Sequence, residues 1–524
     1  MAVTRSQKCV IFTFSWILLS HTFVCGVIDA QTECTKQEFG DTSFVCVCTA
    51  SECDTVQEPQ VSKGHYAVYT SSKTLDRLKQ RVYKIDSKPN ITNSVTFTVN
   101  RTVTYQTILG FGGAFTDAAG INILNVTKDV QDKILQSYFA KDGIEYTFGR
   151  IPMASCDFST HPYSYDDVPG DLALQHFALA KEDLMYKVPL IQRAMNMSER
   201  TLSFFGSPWS APYWMKDNQN ETGQGALIGQ PGGKYYKAWA MYFARFIEEY
   251  AKHGIKLWGV TAQNEPTDGA IYKFSFQSMY FNETSQRDFI KLDLGPTLKE
   301  RGHSDVKVMI LDDNRLMLPH WADVVLKDPD AAQYIAGVAV HWYLNSFVPA
   351  NVLSMTHDKH PDYFLLATEA CAGSFPGQKH VMLGNWERGE SYSHDIITDL
   401  QHWVSGWVDW NMALNMQGGP NWVANYVDSP IIVDADKDVF YKQPMFYHLG
   451  HFSKFVTPGS VRIDIHANED NKLEVIAFLT TQKEVVVVML NRQDAAVPVN
   501  LYDPAIGYIN AEVPARSIQT YIWM

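Results

Sequence analysis

A chain of 524 residues, 46% of them hydrophobic and 19% charged, carries enough apolar material for several packed units and too little charge for a disordered chain. Its formal charge of −13 disfavours the basic footprint of a nucleic-acid binder. No G-x-x-x-x-G-K-[ST] loop, H-E-x-x-H helix or G-x-S-x-G elbow occurs, which sets aside those nucleotide, zinc-protease and esterase chemistries.

Residues 1–30 have the pattern of a secretory signal: Arg5 and Lys8, an apolar stretch over 10–24, then the small residues Gly26 and Ala30. That stretch is short for a membrane span, and no later run of 18 uninterrupted apolar residues occurs. Cys9 and Cys25 fall within the signal. Cys34, Cys46, Cys48 and Cys53 crowd the next segment and, in an oxidising compartment, read as two disulfides. Three pairings are possible; Cys34–Cys46 with Cys48–Cys53 needs no crossing, and a zinc site is the alternative. Cys156 and Cys371 stand alone, as expected of buried thiols. Six sequons, at Asn90, Asn100, Asn125, Asn196, Asn220 and Asn282, point to a glycoprotein with its sugars in the first half of the chain.

Residues 55–104 and 461–524 alternate in strand fashion, and "EVIAFLTTQKEVVVVMLNR" reads as a hairpin. Between them lie eight apolar runs: "TILGFGGAFTD", "YTFGRIPMASCD", "TLSFFGSPWS", "LWGVTAQNEP", "VKVMILDDN", "IAGVAVHWY", "FLLATEACAG" and "VSGWVDWNMAL". Helical patterns, such as 235–253 and 286–300, separate them. Eight β–α units read as a (β/α)8 barrel, an α/β fold whose catalytic residues sit at the C-terminal strand ends; an open doubly wound sheet is the alternative.

Two carboxylates are conspicuous. Glu265 closes the fourth run and Glu369 the seventh, positions where a lone acid is costly unless it is paired or at a mouth. Pro266 biases Glu265 away from helical conformation. A barrel can bring both ends across one cavity. Two facing carboxylates, one protonated and one ionised, are the equipment of glycoside hydrolysis; pairing with a nearby cation is the alternative. Asn264 places an amide beside the first acid, where it can grip a sugar hydroxyl.

Asn–Glu–Pro at a fourth strand end resembles the acid/base segment of the retaining β-glycosidase barrels. The segments "FGGAFTDAAG", "RIPMASCDFS", "SPWSAPYWMK", "HWYL", "ATEACAGS", "GWVDWN", "GGPNWVANYVDSPIIV" and "YKQPMFYHLGHFSKF" closely resemble the acid β-glucosidases (glucosylceramidases) of glycoside hydrolase family 30, over essentially the whole chain after the signal. The resemblance implies a (β/α)8 TIM barrel over 105–410 with 444–459, a β-sandwich over 59–104 with 460–524, and a disulfide-stapled N-terminal β segment over 31–58 with 411–443.

It also implies roles. Glu265 is the expected acid/base and Glu369 the nucleophile of a covalent glucosyl-enzyme. Asn264 holds the sugar 2-hydroxyl. Asp157, Trp209, Trp410 and Asn425 bind hydroxyls or form the floor. Trp342 and Tyr343 flank the pocket, with Tyr343 able to hydrogen-bond Glu369, and Arg150 is a supporting cation. Phe276 is retained at the rim, whereas Phe274 stands where the family has a tyrosine, so a rim hydroxyl is missing. The implied reaction is acidic-pH hydrolysis of glucosylceramide to glucose and ceramide, without metal or organic cofactor. The implied partners are a saposin-type activator, anionic lipid and a membrane surface, and the implied place is the lysosome lumen, with secretion open. A β-glycosidase of soluble oligosaccharides and a non-catalytic glycan- or lipid-binding paralogue remain alternatives. His357 and His360 form an H-x-x-H expected in a solvated loop.

Overall fold

The structure, a computed structural model, describes residues 32–91, 93–375 and 377–524. The signal-peptide expectation, with Cys9 and Cys25, lies outside the described residues. Eight parallel strands close into a barrel. They are β1 (Gly110–Ala114), β2 (Phe148–Met153), β3 (Ser203–Pro208), β4 (Leu257–Thr261), β5 (Lys307–Asn314), β6 (Ile335–His341), β7 (Phe364–Glu369) and β8 (Val404–Asn411). These are the eight apolar runs of the sequence. Parallel strands are covered by helices outside and by one another inside, so each is buried on both faces and is apolar almost throughout.

Phe148, Phe205, Met309, Ala339, Leu366 and Val408 fill the barrel interior. Above this apolar plug the strand ends turn polar. The β5–β6 and β6–β7 registers pair Asn314 with His341 and His341 with Glu369, so functional groups share one rung.

The helix expected near 235–253 spans Lys234–Lys252 and buries Tyr236, Trp239, Phe243 and Tyr250. The one expected over 286–300 is interrupted. Glu283–Phe289 and Gly295–Glu300 flank a wide turn at Ile290–Leu294. Pro296 has no N–H to donate one turn back, which breaks the regular ladder there. The H-x-x-H straddles the end of a helix instead of lying wholly in a solvated loop. His357 lies in the last turn of the helix Asn351–Lys359, its ring stacked 3.7 Å from Trp403. His360 Nε2 meets Asp323 Oδ1 at 2.9 Å. An aromatic partner and an acid compensate both rings, which the local sequence spacing could not show.

Outside the barrel, a nine-stranded sheet joins His65–Ser72, Lys79–Lys84 and Val95–Thr107 to six strands between Val461–Ala467 and Ser517–Trp523. Val68, Phe97, Val487, Met489, Val499 and Tyr521 lie in its core. The expected hairpin pairs Glu474 with Leu490 and Leu479 with Val485. A five-stranded sheet joins Lys36–Glu38 and Phe44–Cys48 to Ala413–Asn415, Ile431–Asp434 and Val439–Lys442. Cys34–Cys46 and Cys48–Cys53 are bonded, the pairing without a crossing, while Cys156 and Cys371 are buried free thiols. No helix among the described residues is long and apolar enough to cross a membrane.

Barrel closure depends on close approach of β1 and β2. A Cβ on Gly112 would lie 2.0 Å from the Phe148 carbonyl oxygen, a backbone atom that cannot rotate away. Gly112→Ala is expected to destabilise the fold by about 3 kcal/mol through overpacking. A thermal midpoint equal to that of the wild type would contradict this.

Candidate active site

Five barrel strands position the polar groups at the C-terminal mouth. Arg150 comes from β2, Asp312 from β5, and His341 and Glu369 are the last residues of β6 and β7. Asn264 and Glu265 follow β4. Their backbone is tied sideways: Asn264 N–H donates to the Pro208 carbonyl of β3 and Glu265 N–H to the Asp312 carbonyl of β5, each at 2.9 Å. Glu265 has φ +39°, a left-handed conformation costly for a residue with a Cβ. Those two hydrogen bonds, with Pro266 behind, hold the turn that aims its carboxyl across the barrel.

A fully buried arginine organises the floor. Arg150 Nη2 donates to Asp312 Oδ2 at 2.9 Å and to Asn264 Oδ1 at 2.8 Å, while Nη1 donates to Glu369 Oε2. Its guanidinium lies 5.0 Å and 5.3 Å from the rings of Trp209 and Trp410. Asp312 also accepts from Thr261 Oγ1 at 2.6 Å and Thr368 Oγ1 at 2.7 Å, and meets His341 Nε2 at 3.0 Å. Burial opposes its ionisation, but Arg150 and His341 outweigh burial and hold the Asp312 carboxyl far below the usual range. His341 mirrors it. Burial disfavours the cation, yet Glu369 and Asp312 push its pKa up to about 10.

The other nitrogen of His341, Nδ1, is 3.1 Å from Glu265 Oε1 and 4.0 Å from Glu369 Oε1. Oxygens of Glu265 and Glu369 lie within 4.8 Å of each other. Tyr343 Oη donates to Glu369 Oε1 at 2.5 Å. Two buried cations thus face three carboxyl groups, and the charges balance when one proton is carried among the carboxyls. Both nitrogens of His341 face carboxylates and Glu369 is engaged by Arg150 and Tyr343, so this donor set suits proton transfer rather than metal ligation.

The carboxyls open into a cavity of about 150 Å³ lined by Asp157, Trp209, Glu265, Phe276, Tyr343, Glu369, Trp410 and Asn425, among others. Trp209 and Trp410 stack at 5.1 Å. Asp157 Oδ2 accepts from Asn425 Nδ2 at 2.9 Å and Asn421 Nδ2 at 3.1 Å. Burial, reinforced by Glu369, pushes the Asp157 carboxyl up to about 7, so at acidic pH it is a neutral group that can both donate and accept. Phe276 packs against Phe274 at the rim, ring centroids 4.4 Å apart.

Of the expected site residues, Arg150 and Asn264 lie outside the lining of this cavity, and so does Trp342. Its Nε1 donates to the Cys371 carbonyl at 3.1 Å, and its ring walls a neighbouring cavity of about 600 Å³ that shares Tyr343 and Cys371 with the first. Asn90, Asn125, Asn196 and Asn220 are exposed, while Asn100 and Asn282 are partly covered. Asn282 Oδ1 caps a helix by accepting from Ser285 N–H at 2.7 Å. His341, Asp312 and Asn421 were not singled out from sequence. His341 and Asp312 carry the signal that marked Glu265 and Glu369, a polar residue ending an apolar run. Asn421 carries none.

The glycosyl hydrolase family 30 TIM-barrel domain matches residues 108–456, and the family's β-sandwich domain matches residues 459–521. The chain is 48% identical over 492 residues to lysosomal acid glucosylceramidase of Mus musculus, covering 94% of this chain and 95% of that protein. It is 47% identical over 480 residues to putative glucosylceramidase 4 of Caenorhabditis elegans, covering 91% and 90%. The crystal structure of SrfJ from Salmonella typhimurium superposes with a TM-score of 0.79 at 28% identity, over 88% of this chain and 99% of that one. The chain belongs to glycosyl hydrolase family 30.

The buried ionisable groups set a pH dependence of stability. Burial raises Asp157, Glu221 and Glu390 to about 7, and burial with the Glu265 and Asp313 charges raises Asp268 to about 10. The folded state then holds protons that the unfolded chain releases above about pH 4. Their contribution is present at acidic pH and is lost as pH rises through the folded values. Buried His448, held well below its usual range, and His451, held down to about 3, oppose this below about pH 6.5. The raised carboxyls outnumber them. The melting temperature is therefore expected to rise between pH 7.5 and pH 5, and a scan showing a steady fall over that interval would refute the assignment.

Proposed function

We propose that this family 30 glycosyl hydrolase hydrolyses glucosylceramide to glucose and ceramide at acidic pH, with retention of the β configuration. The observation that carries the chemistry is the approach of Glu265 and Glu369 oxygens to within 4.8 Å at one end of a small cavity. Retaining glycosidases hold their carboxyl groups about 5–5.5 Å apart, too close to admit a water between them.

Glu369 is the nucleophile. Arg150 and Tyr343 engage its oxygens, which orients the carboxylate towards the anomeric carbon. As the bond from Glu369 to that carbon forms, the glycosidic C–O bond breaks and Glu265 gives its proton to the leaving oxygen. Ceramide departs with that proton. Glu265, now a carboxylate, deprotonates a water that attacks the glucosyl ester, which returns the proton to Glu265 and frees Glu369. His341 stays cationic beside Glu265 and attracts the charge left by each transfer. Asn264 commits its Oδ1 to Arg150, leaving its amide N–H groups to donate to the sugar 2-hydroxyl. Asp157 and Asn425 take other hydroxyls, and Trp209, Trp410 and Phe276 cover the apolar faces of the ring.

The substrate class and a lysosomal location draw support from the name of the Mus musculus relative. Contact with a membrane draws support from the mouth itself. Tyr272, Leu316, Phe347 and Phe375 are exposed, one each in the loops following β4, β5, β6 and β7. An apolar rim around a lipid-cleaving pocket suits a bilayer surface bearing anionic lipid, or a saposin-type activator that lifts the lipid out. The division into a barrel over 105–410 with 444–459, a sandwich over 59–104 with 460–524 and a stapled segment over 31–58 with 411–443 belongs to the same reading.

Glu369→Gln is expected to lower kcat on glucosylceramide in anionic vesicles at pH about 5 by about 10⁴-fold or more. Proton NMR of the product should show β-glucose first. Initial α-glucose would overturn retention, and wild-type cleavage of aryl glucosides without any cleavage of the lipid, activator included, would overturn the substrate. A second prediction concerns the acid/base. Glu265→Gln should retain turnover of aryl glucosides with good leaving groups, lose that of poor ones, and be rescued by azide. Equal loss on both leaving groups would contradict the role.

A further inference from the structure

The mechanism leaves one buried cation unused. Lys187 ends a wide helical turn, Asp183–Lys187, a geometry often found at functional sites. Its side chain is fully buried against the chain that leaves β2. Nζ lies 3.2 Å from the carbonyl oxygens of Pro152 and Ala154, and 3.3 Å from Tyr163 Oη, Asp183 Oδ1 and Asp117 Oδ1. Asp183 Oδ1 also accepts from the hydroxyls of Tyr165 and Tyr250, each at 2.7 Å. A lysine taken wholly out of water is costly unless opposite charges and acceptors surround it, as they do here.

Two routes of contact lead from this cation to Asp157. One runs along the backbone. Ala154, whose carbonyl Lys187 holds, has φ +67°, a left-handed conformation costly for a residue with a Cβ and kept only where the surroundings fix it. Three residues later the chain presents Asp157. The other route runs through side chains. Asp117 turns Oδ1 to Lys187 and accepts at Oδ2 from Ser159 Oγ at 2.6 Å and Tyr163 Oη at 2.9 Å. Ser159 Oγ in turn accepts from Cys156 N–H at 3.1 Å, and Ser159 N–H donates to the Cys156 carbonyl at 3.2 Å. Ala118 N–H donates to the Phe158 carbonyl at 2.9 Å. Asp157 thus sits inside a closed turn over residues 156–159, and its carboxyl meets Asn421 and Asn425 at the sugar cavity.

We propose that Lys187, Asp117 and Ser159 are positioning residues for Asp157: a buried clamp that fixes where its carboxyl meets the sugar, and so sets which hydroxyl the pocket recognises there. This rests on the reading of Asp157 as a group that holds a sugar hydroxyl. None of the three is among the residues lining the sugar cavity, so each acts through the turn that carries Asp157. A recognition group held by its supporting shell loses no further freedom when substrate arrives, and an error of about 1 Å in its position costs on the order of 100-fold in rate. Removing Ser159 Oγ takes the partner from Cys156 N–H and opens the turn. Removing the Lys187 charge leaves Asp117 and Asp183 buried without their cation.

The test is kcat/KM on an aryl β-glucoside, and on analogues that each lack one ring hydroxyl, for wild type, Asp157→Asn, Ser159→Ala and Lys187→Met. The penalty for a missing hydroxyl is a ratio within one variant, so a partly folded preparation does not change it. D157N identifies the hydroxyl that Asp157 holds, as the position where that penalty shrinks. S159A and K187M should shrink the penalty at that same position, on the order of tenfold, and leave the others at their wild-type values. Penalties unchanged at every position in S159A and K187M, with activity merely lowered, reduce the clamp to a structural role and overturn the proposal. Penalties altered equally at all positions overturn it too, because a general loosening of the pocket is then the cause. S159A removes a single oxygen and carries the test by itself if K187M does not fold. D157N with no altered penalty removes the reading of Asp157 itself, whereas a penalty altered in D157N alone removes only the clamp.

Discussion

Everything reactive in this protein is built around a buried guanidinium. Arg150 contacts Asp312, Asn264 and Glu369, groups from three other parts of the barrel, and its faces lie against two tryptophans. An arginine taken wholly out of water is tolerable only because planar acceptors meet its fork and aromatic faces cover what remains. Asp312 then passes the constraint to His341, and His341 to Glu265. One cation on β2 thereby fixes the orientation of two carboxyls that are far apart in sequence.

The same network explains why the site can move protons without losing its shape. Two cations oppose three carboxyls, so the proton carried by one of them is the adjustable charge. Moving it to a leaving oxygen changes the net charge by one, and the donors that receive the new charge are already in place. Such preorganised donors in a pocket shielded from bulk water are more effective than solvent dipoles that must first turn.

Acidity also suits the rest of the molecule. Several carboxyls, among them Asp157, Glu221 and Glu390, are buried without enough positive charge to remain ionised cheaply. At neutral pH they strain against burial, and at acidic pH they are neutral hydrogen-bonding groups. The pocket's Asp157 and the protein's stability thus respond to pH in the same direction.

Much of this was legible in one sequence. The eight barrel strands are readable because strands buried on both faces must be apolar along their length, and the two principal carboxyls because an acid ending such a run needs a reason to be there. The disulfide patch was legible as four crowded cysteines, though the choice among three pairings was not. What the sequence could not supply was anything that depends on neighbours from other strands. His341 and Asp312 bore the same mark as the two glutamates, but their importance comes from facing each other and Arg150 across the barrel. The break at Ile290–Leu294 follows from Pro296, yet only packing decides that the chain continues as helix beyond it. His357 reads as solvated until Trp403 is seen stacked upon it, and Trp342 reads as pocket wall until its ring is found in the adjoining cavity. Sequence alone determined the fold class and the kind of chemistry, since periodicity and residue type are local properties of the chain. Tertiary structure alone decided which groups carry protons, because a proton's position depends on the charges and burial around it, and distant segments supply both.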